Sequence, residues 1–169
     1  LHTNEKDRKP FFSYVSFQAV HIPIQAPKAF TEKYIGSYKD GWHVLRKNRQ
    51  KAVKNLGLLS ASAPMKRMPS TTDWDELSEE EKRFNDKRMA VYAGMVDAMD
   101  HHIGRLIQYL KDSGQYDNTI IMFTSDNGPA AAEVPPLWFK MLGYNNDYNT
   151  LGERYSYNTL GISFGSAAA

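Results

Sequence analysis

The apolar positions of the chain fall into three patterns. "PFFSYVSFQAVHIPIQAP" opens with Phe11 to Phe17, nearly continuous in aromatic and apolar residues. Such a run fits a strand covered on both faces, as in a parallel sheet. Pro10 suits its first position, where a missing N–H costs least. "TIIMFTSDNGP", Thr119 to Pro129, repeats the pattern: an apolar run to Thr124, then an abrupt turn to polar residues. Between the two runs the period becomes helical. A short helix is predicted around Lys28 to Tyr34. A second follows Asp40 as its cap, with Trp42, Leu45, Val53 and Leu56 at helical spacing and Gly57 as its stop.

The strongest signal is the third. Ser78-Glu79-Glu80-Glu81 reads as a capping box. Phe84, Val91, Tyr92, Met95, Val96, Met99, Ile103, Leu106, Ile107 and Leu110 then form a persistent apolar stripe. The pattern predicts one long helix ending near Lys111, with Gly114 as terminator. Leu58 to Asp73, rich in Ser, Ala, Pro and Thr, reads as loop, and Asp117-Asn118 as a turn. Beyond Pro129 periodicity is lost, and Gly143, Asn145, Asn146, Asn149, Gly152, Asn158 and Gly161 mark a long loop region. Strand, helical excursion and strand together predict an α/β fold with a parallel crossover.

Composition narrows the function classes. Net charge over the 169 residues is +2, and no basic block of the kind that grips a phosphate backbone is present. No apolar run approaches the length of a membrane span. There are no cysteines, which excludes disulfides and thiolate metal sites but does not fix a compartment. The chain opens on Leu1, reaches an apolar run just after Lys9-Pro10, and closes on Gly165-Ser166-Ala167-Ala168-Ala169 without a cap. This reads as an internal piece of a longer protein.

The chemistry gathers where the two strands end. In an open α/β sheet, ligands bind beyond the carboxyl ends of the strands. The first strand delivers Gln18 and His21 there; the second delivers Asp126 and Asn127. Ile22 and Ala26 each precede a proline, so His21 leaves its strand on a stiff loop. A carboxylate and a carboxamide oxygen suit a hard cation, calcium or magnesium, and an imidazole suits proton transfer to a leaving group. Gly128 lets the backbone turn tightly beside them. Each feature also has a plainer reading, since Asp-Asn-Gly is a common turn sequence and a histidine before a proline is commonly a packed loop residue. His101-His102 are adjacent on a helix and point apart, so they read as ordinary helix positions. His2 and His43 read as surface residues, and Arg46 to Lys51 as a solvated helix face.

The wording of three stretches changes the weight of these readings. "PFFSYVSFQAVHIPIQAP", "SEEEKRFNDKRM" and "VYAGMVDAMDHHIGRLIQYLKDSGQYDNTIIMFTSDNG" together resemble the arylsulfatases of the alkaline phosphatase superfamily, bacterial ones above all. "GERYSYNTLG" resembles the segment that follows in that group. The resemblance runs from about Pro10 to the end. It implies an alkaline-phosphatase-like sandwich with a mostly parallel central sheet and flanking helices, residues 1–169 being an internal part of one catalytic domain. It also implies a calcium-dependent sulfuric ester hydrolase acting on a small-molecule or glycan sulfate ester. In that family a Cys or Ser oxidised to formylglycine attacks sulfur as its hydrate, and the sulfated hemiacetal collapses to aldehyde and sulfate. By matching positions, Asp126 and Asn127 become metal ligands, and His21 contacts the sulfate and assists the leaving oxygen.

Departures from the family pattern are equally clear. Its nucleophile motif is Cys or Ser, any residue, Pro, any residue, Arg. Ser62-Ala63-Pro64-Met65-Lys66-Arg67 comes near, but has Lys66 in place of the arginine and falls after His21 rather than before it. Ser62 is therefore not assigned as nucleophile. The family's N-terminal aspartate pair and its sulfate-binding lysine have no counterpart in these residues. A phosphate or phosphonate ester hydrolase of the same superfamily, and a non-catalytic α/β binding protein, stay open as alternatives. Residues 1–169 alone are expected to be catalytically inert, poorly soluble or partly molten, and indifferent to calcium on melting.

Overall fold

The computed structural model describes residues 9–65, 71–129, 137, 141–154, 156, 158, 159, 161, 163 and 164. Its helices are α1 (Lys28–Thr31), α2 (Gly41–Asn55) and α3 (Glu79–Asp112), with single 3-10 turns at Glu32–Tyr34, Trp74–Glu76 and Tyr116–Asn118. With 34 residues, α3 runs for about 51 Å.

The predicted capping box starts α3. Ser78 Oγ accepts the Glu81 N–H at 3.3 Å, and Glu81 Oε2 accepts the Ser78 N–H at 2.9 Å. The Ser78 hydroxyl, and after it the Ser78 N–H, hold the Glu81 carboxyl below the usual carboxylate range. The far end closes at Gly114. Its N–H reaches the Lys111 carbonyl at 3.0 Å, while the Gln115 N–H reaches Leu110 at 2.9 Å. This is a Schellman pair. Helix α2 ends in the same way, Gly57 bonding to Lys54 and Leu58 to Val53 at 2.9 and 3.2 Å. Its start differs from expectation. Asp40 stands at the N-cap, but its side chain makes no cap hydrogen bond. Its backbone is already helical there, whereas a side-chain cap needs the extended conformation.

Two apolar clusters form, both on α3. One joins Trp42, Trp74, Met89 and Phe164. Its rings meet edge to face, with centroids 4.8 Å apart for Trp42–Trp74 and 5.2 Å for Trp42–Phe164. Trp42 Nε1–H donates to the Thr72 carbonyl at 2.9 Å, so the indole is buried without an orphan donor. Gly41 is required beside it: its φ is +83°, and a Cβ there would lie 2.3 Å from the Trp74 ring. The other cluster joins Ile24, Val91, Met95 and Leu151, and Tyr92 packs against both. Leu56, expected on the apolar stripe of α2, is instead 72% exposed; only the first turns of that helix dock.

Part of the stretch read as a long loop packs against the helices. Leu151, Ser156, Asn158 and Thr159 are all buried. Two cations of α3 hold it: Lys87 Nζ donates to the carbonyls of Tyr148 and Asn149, and Arg88 donates to the Thr159 carbonyl at 2.8 Å and hydroxyl at 3.0 Å.

The strands do not form as expected. Among the described residues neither 11–17 nor 119–124 enters a ladder; the one β pairing there is an isolated parallel bridge between Asn145 and Ser156. Phe12, Ile120 and Met122 are 89%, 90% and 85% exposed. The reason is physical. β-Branched and aromatic residues bias the chain to extended backbone, but a strand exists only when a neighbour supplies the complementary N–H and C=O groups. No described residue does so for these two runs. The parallel sheet is therefore not part of the described structure, although the helix predicted to connect its strands is.

Two glycines of α3 give opposite expectations. A Cβ on Gly94 would stand 2.9 Å from the Thr31 backbone nitrogen, whereas one on Gly104 would meet nothing within 4 Å. Gly104→Ala should stabilise the protein by about 1 kcal/mol through helix propensity. Gly94→Ala gains the same propensity but forces α1 away, at about 1–3 kcal/mol, and should be neutral to destabilising. Urea unfolding of both variants checks the contrast; equal stabilisation would remove the close helix contact from the account.

Candidate active site

His21 sits where the first apolar run ends. Its N–H donates to the Gln18 carbonyl at 2.8 Å, forming a tight turn. Its Nδ1 lies 2.8 Å from the Ile22 carbonyl. A carbonyl can only accept, so Nδ1 carries the proton and Nε2 is left for a substrate. The ring is exposed. The residues after it are held firmly. The Ile24 N–H bonds to the Asn158 carbonyl at 2.9 Å and the Ala26 N–H to Gly152 at 3.1 Å. Between them the Gln25 side chain donates to the Arg154 and Ser156 carbonyls, at 3.0 and 2.8 Å. Prolines 23 and 27 thus have a structural counterpart: the loop carrying His21 is laced to the packed segment beyond Leu151.

Asp126 and Asn127 are exposed on the turn after the second run. Asp126 Oδ1 accepts the Asn127 N–H at 2.9 Å. The Asn127 side-chain nitrogen donates to the Gly128 carbonyl at 2.7 Å. That bond commits the amide nitrogen to backbone and makes the oxygen the atom available to a cation. The Ser125 hydroxyl closes the turn on the Asn127 carbonyl. Both donors are of the type a hard cation takes, but a calcium shell needs about 6–8 oxygens. Among the described residues no third acidic or histidine side chain joins them, and no hydrogen bond links them to His21.

Other sequence candidates take plain roles. Ser62 is exposed and its hydroxyl meets that of Ser60 at 2.9 Å; Lys66 and Arg67 lie outside the described residues. His101 packs on Phe30 with centroids 5.7 Å apart, and His102 Nδ1 accepts from Arg105 at 3.1 Å. The two rings also meet each other edge to face, with centroids 5.2 Å apart, so they do not point apart as the sequence suggested, but each keeps a packing or helix-surface role. His43 is not a free surface residue: it is half-buried beside Trp42, 4.0 Å from an Asp73 oxygen. His2 lies outside the described residues.

Periodicity alone did not single out the polar ring below Pro129. Lys33 Nζ pairs with Asp97 at 2.8 Å. The Lys33 hydrogen bond is the main cause that holds the Asp97 carboxyl low, and a Tyr34 hydrogen bond adds to it. Burial pushes the Tyr38 and Tyr92 hydroxyls up. The only hint in the sequence is the Tyr34–Tyr38 spacing; Tyr92 is hidden within the apolar stripe of α3.

Known proteins place the chain. A family model described as Sulfatase matches residues 1–159. The chain is 41% identical over 177 residues to an uncharacterized sulfatase of Schizosaccharomyces pombe, covering 98% of this chain and 31% of that protein. It is 30% identical over 159 residues to an arylsulfatase of Klebsiella aerogenes, covering 90% and 34%. A choline-sulfatase of Rhizobium meliloti is 28% identical over 138 residues, covering 82% and 25%. The chain belongs to the sulfatase family, and membership carries an alkaline-phosphatase-like α/β fold. The likeness is not confined to bacteria, and the chain spans about a third of the length of the first two relatives.

Gln25→Ala tests how the His21 loop is held. It removes two side-chain hydrogen bonds worth about 0.5–1.5 kcal/mol each. Amide exchange at Ile24, Gln25 and Ala26 and at Arg154, Ser156 and Asn158 should quicken together, while α2 is unaffected. Unchanged exchange at both segments would show that the prolines alone hold the loop.

Proposed function

We propose that the protein of which these residues form part hydrolyses sulfate esters. The observation that carries this reading is the sulfatase match across residues 1–159. In it, residues 11–17 and 119–124 are strands of the central sheet, which brings His21 and the Asp126 turn to one rim. Asp126 and Asn127 supply two oxygens to a calcium ion, with magnesium as the alternative. When bound, that ion polarises the sulfate oxygens and offsets charge that builds on them. The nucleophile in this reading is a formylglycine. The chain has no cysteine, and Ser62 is followed by Lys66 where the motif has arginine and falls after His21, so the reading assigns the nucleophile to a position outside these residues.

The chain's own part is then defined. Asp126 contributes a full negative charge, which Asn127 cannot. The Asn127 oxygen adds a neutral donor whose orientation is fixed by the hydrogen bond that the side-chain N–H donates to the Gly128 carbonyl. His21 presents Nε2, because Nδ1 is held by the Ile22 carbonyl. To donate a proton from Nε2 to the departing alkoxide the ring must enter the step as imidazolium.

Two substitutions in the full-length protein test these roles. Asp126→Ala should lower aryl sulfate turnover at least about 100-fold, a loss that even indirect changes at metal sites reach. Turnover within about threefold of the parent would remove Asp126 from the site. His21→Ala should cost about 10²–10⁴-fold for a poorly acidic leaving alcohol and much less for 4-nitrophenol. Equal losses across a graded series of phenyl sulfates would leave His21 as a sulfate-binding group only.

A further inference from the structure

The loop that carries His21 takes its position from a neighbour: Ile24, Gln25 and Ala26 bond to Gly152, Arg154, Ser156 and Asn158. Those partners carry no helix, and the isolated bridge at Ser156 is the one β pairing among them. Without a helix or ladder of its own, the segment is placed by the side chains that grip it. Arg88 of α3 grips it just past Asn158. Its Nε and Nη2 donate to the carbonyl and hydroxyl of Thr159 at 2.8 and 3.0 Å, and its Nη1 donates to Asn85 Oδ1 at 3.2 Å, which steadies the guanidinium. Hydrogen bonds from an ionised donor are roughly twice as strong as neutral ones. Gly161 lets the chain close over the guanidinium: its φ is +78°, and a Cβ there would lie 2.9 Å from Nη1 and Nη2.

From Thr159 the path to His21 is short. The adjoining Asn158 carbonyl accepts the Ile24 N–H at 2.9 Å. Pro23 separates Ile24 from Ile22; its ring fixes one backbone dihedral and restricts the residue before it. The Ile22 carbonyl is the group 2.8 Å from His21 Nδ1. A displacement of Thr159 therefore reaches the imidazole through two hydrogen bonds and a stiff dipeptide.

We infer that Arg88 is a positioning residue for His21: through Thr159 and Asn158 it fixes where Nε2 stands. The inference rests on the proton-donor reading of His21 above and adds what holds that donor in line. A general acid acts only within about 2.6–3.2 Å of the atom it protonates. A misplacement of about 1 Å, caused far from the chemistry, can cost about 100-fold. The loss from a slackened Arg88 clamp is confined to the step that needs the proton.

The test compares Arg88→Met with Lys87→Met in the full-length protein. Lys87 leaves the same helix for the same segment, but its partners are the Tyr148 and Asn149 carbonyls, ahead of the stretch that meets the His21 loop. Arg88→Met should lower kcat about 10- to 100-fold for the sulfate of a poorly acidic phenol and less than about threefold for 4-nitrophenyl sulfate, with KM within about twofold. Lys87→Met should show no such slope across the phenols. In a His21→Ala background the Arg88→Met loss should shrink to within about threefold, because residues acting as one unit are not additive. A loss equal across the phenol series, or one that persists in full without His21, overturns the proposal and leaves Arg88 a stabilising clamp. Should Arg88→Met not fold, Thr159→Val takes its place: it keeps the side chain's shape, removes the hydroxyl from the clamp and should give the same slope at about three- to tenfold. A flat series from it overturns the proposal equally.

If His21→Ala itself shows no slope, or the parent cleaves none of the series, it is the proton-donor reading that fails. The His21 ring, labelled with carbon-13 and assigned by its loss in His21→Ala, then judges position alone. A ring resonance that moves in Arg88→Met and not in Lys87→Met sustains the positioning role. One unmoved in Arg88→Met, or moved as far in Lys87→Met, overturns it.

Discussion

The middle of α3, from Arg88 to Met95, is where both apolar clusters of the described structure meet. Met89 enters the tryptophan cluster, Val91 and Met95 enter the other, and Tyr92 touches both. Gly94 admits α1 at backbone distance, and Arg88 clamps Thr159. Most of a helix's stability in a protein comes from packing of its buried face rather than from propensity. Remove those two turns and α1, α2 and the 145–164 segment lose their common support.

What the sequence disclosed, it disclosed through local chemistry. The capping box at Ser78 and the glycines at 57 and 114 act within a few residues, so element ends could be read from neighbours in the chain. Long-range features were less legible. Phe164 joins Trp42 and Trp74 from far along the chain, and no period announces it. Arg88 and Lys87 read as polar helix positions, yet they hold the loop segment by carbonyl contacts that composition does not encode. The two apolar runs show the same limit from the other side: their residues favour extended backbone, but strand pairing is a property of two segments, not one.

The candidate site divides along that line too. His21, Asp126 and Asn127 were found from residue type and position after an apolar run, and each sits on a tight, internally bonded turn. Their mutual placement is a long-range property, so it was not available from either turn alone. Tyr92 was missed because an amphipathic residue on a helix stripe looks like core. Tyr92 is both, with its ring against the two clusters and its place in the wall of a groove between α2 and α3.

The single-helix scaffold also sets how length can vary in this protein. Each residue of an α-helix turns the following ones by about 100°. One residue inserted between Val91 and Met95 would swing every later side chain of α3 off its partners, parting Met95 from Ile24 and Leu151. Four inserted residues add a little over one turn and return the face to within about 40°. Length changes in α3 are therefore expected in steps of three or four among relatives, whereas the connection from Leu58 to Met65, outside both clusters, is free to vary by single residues.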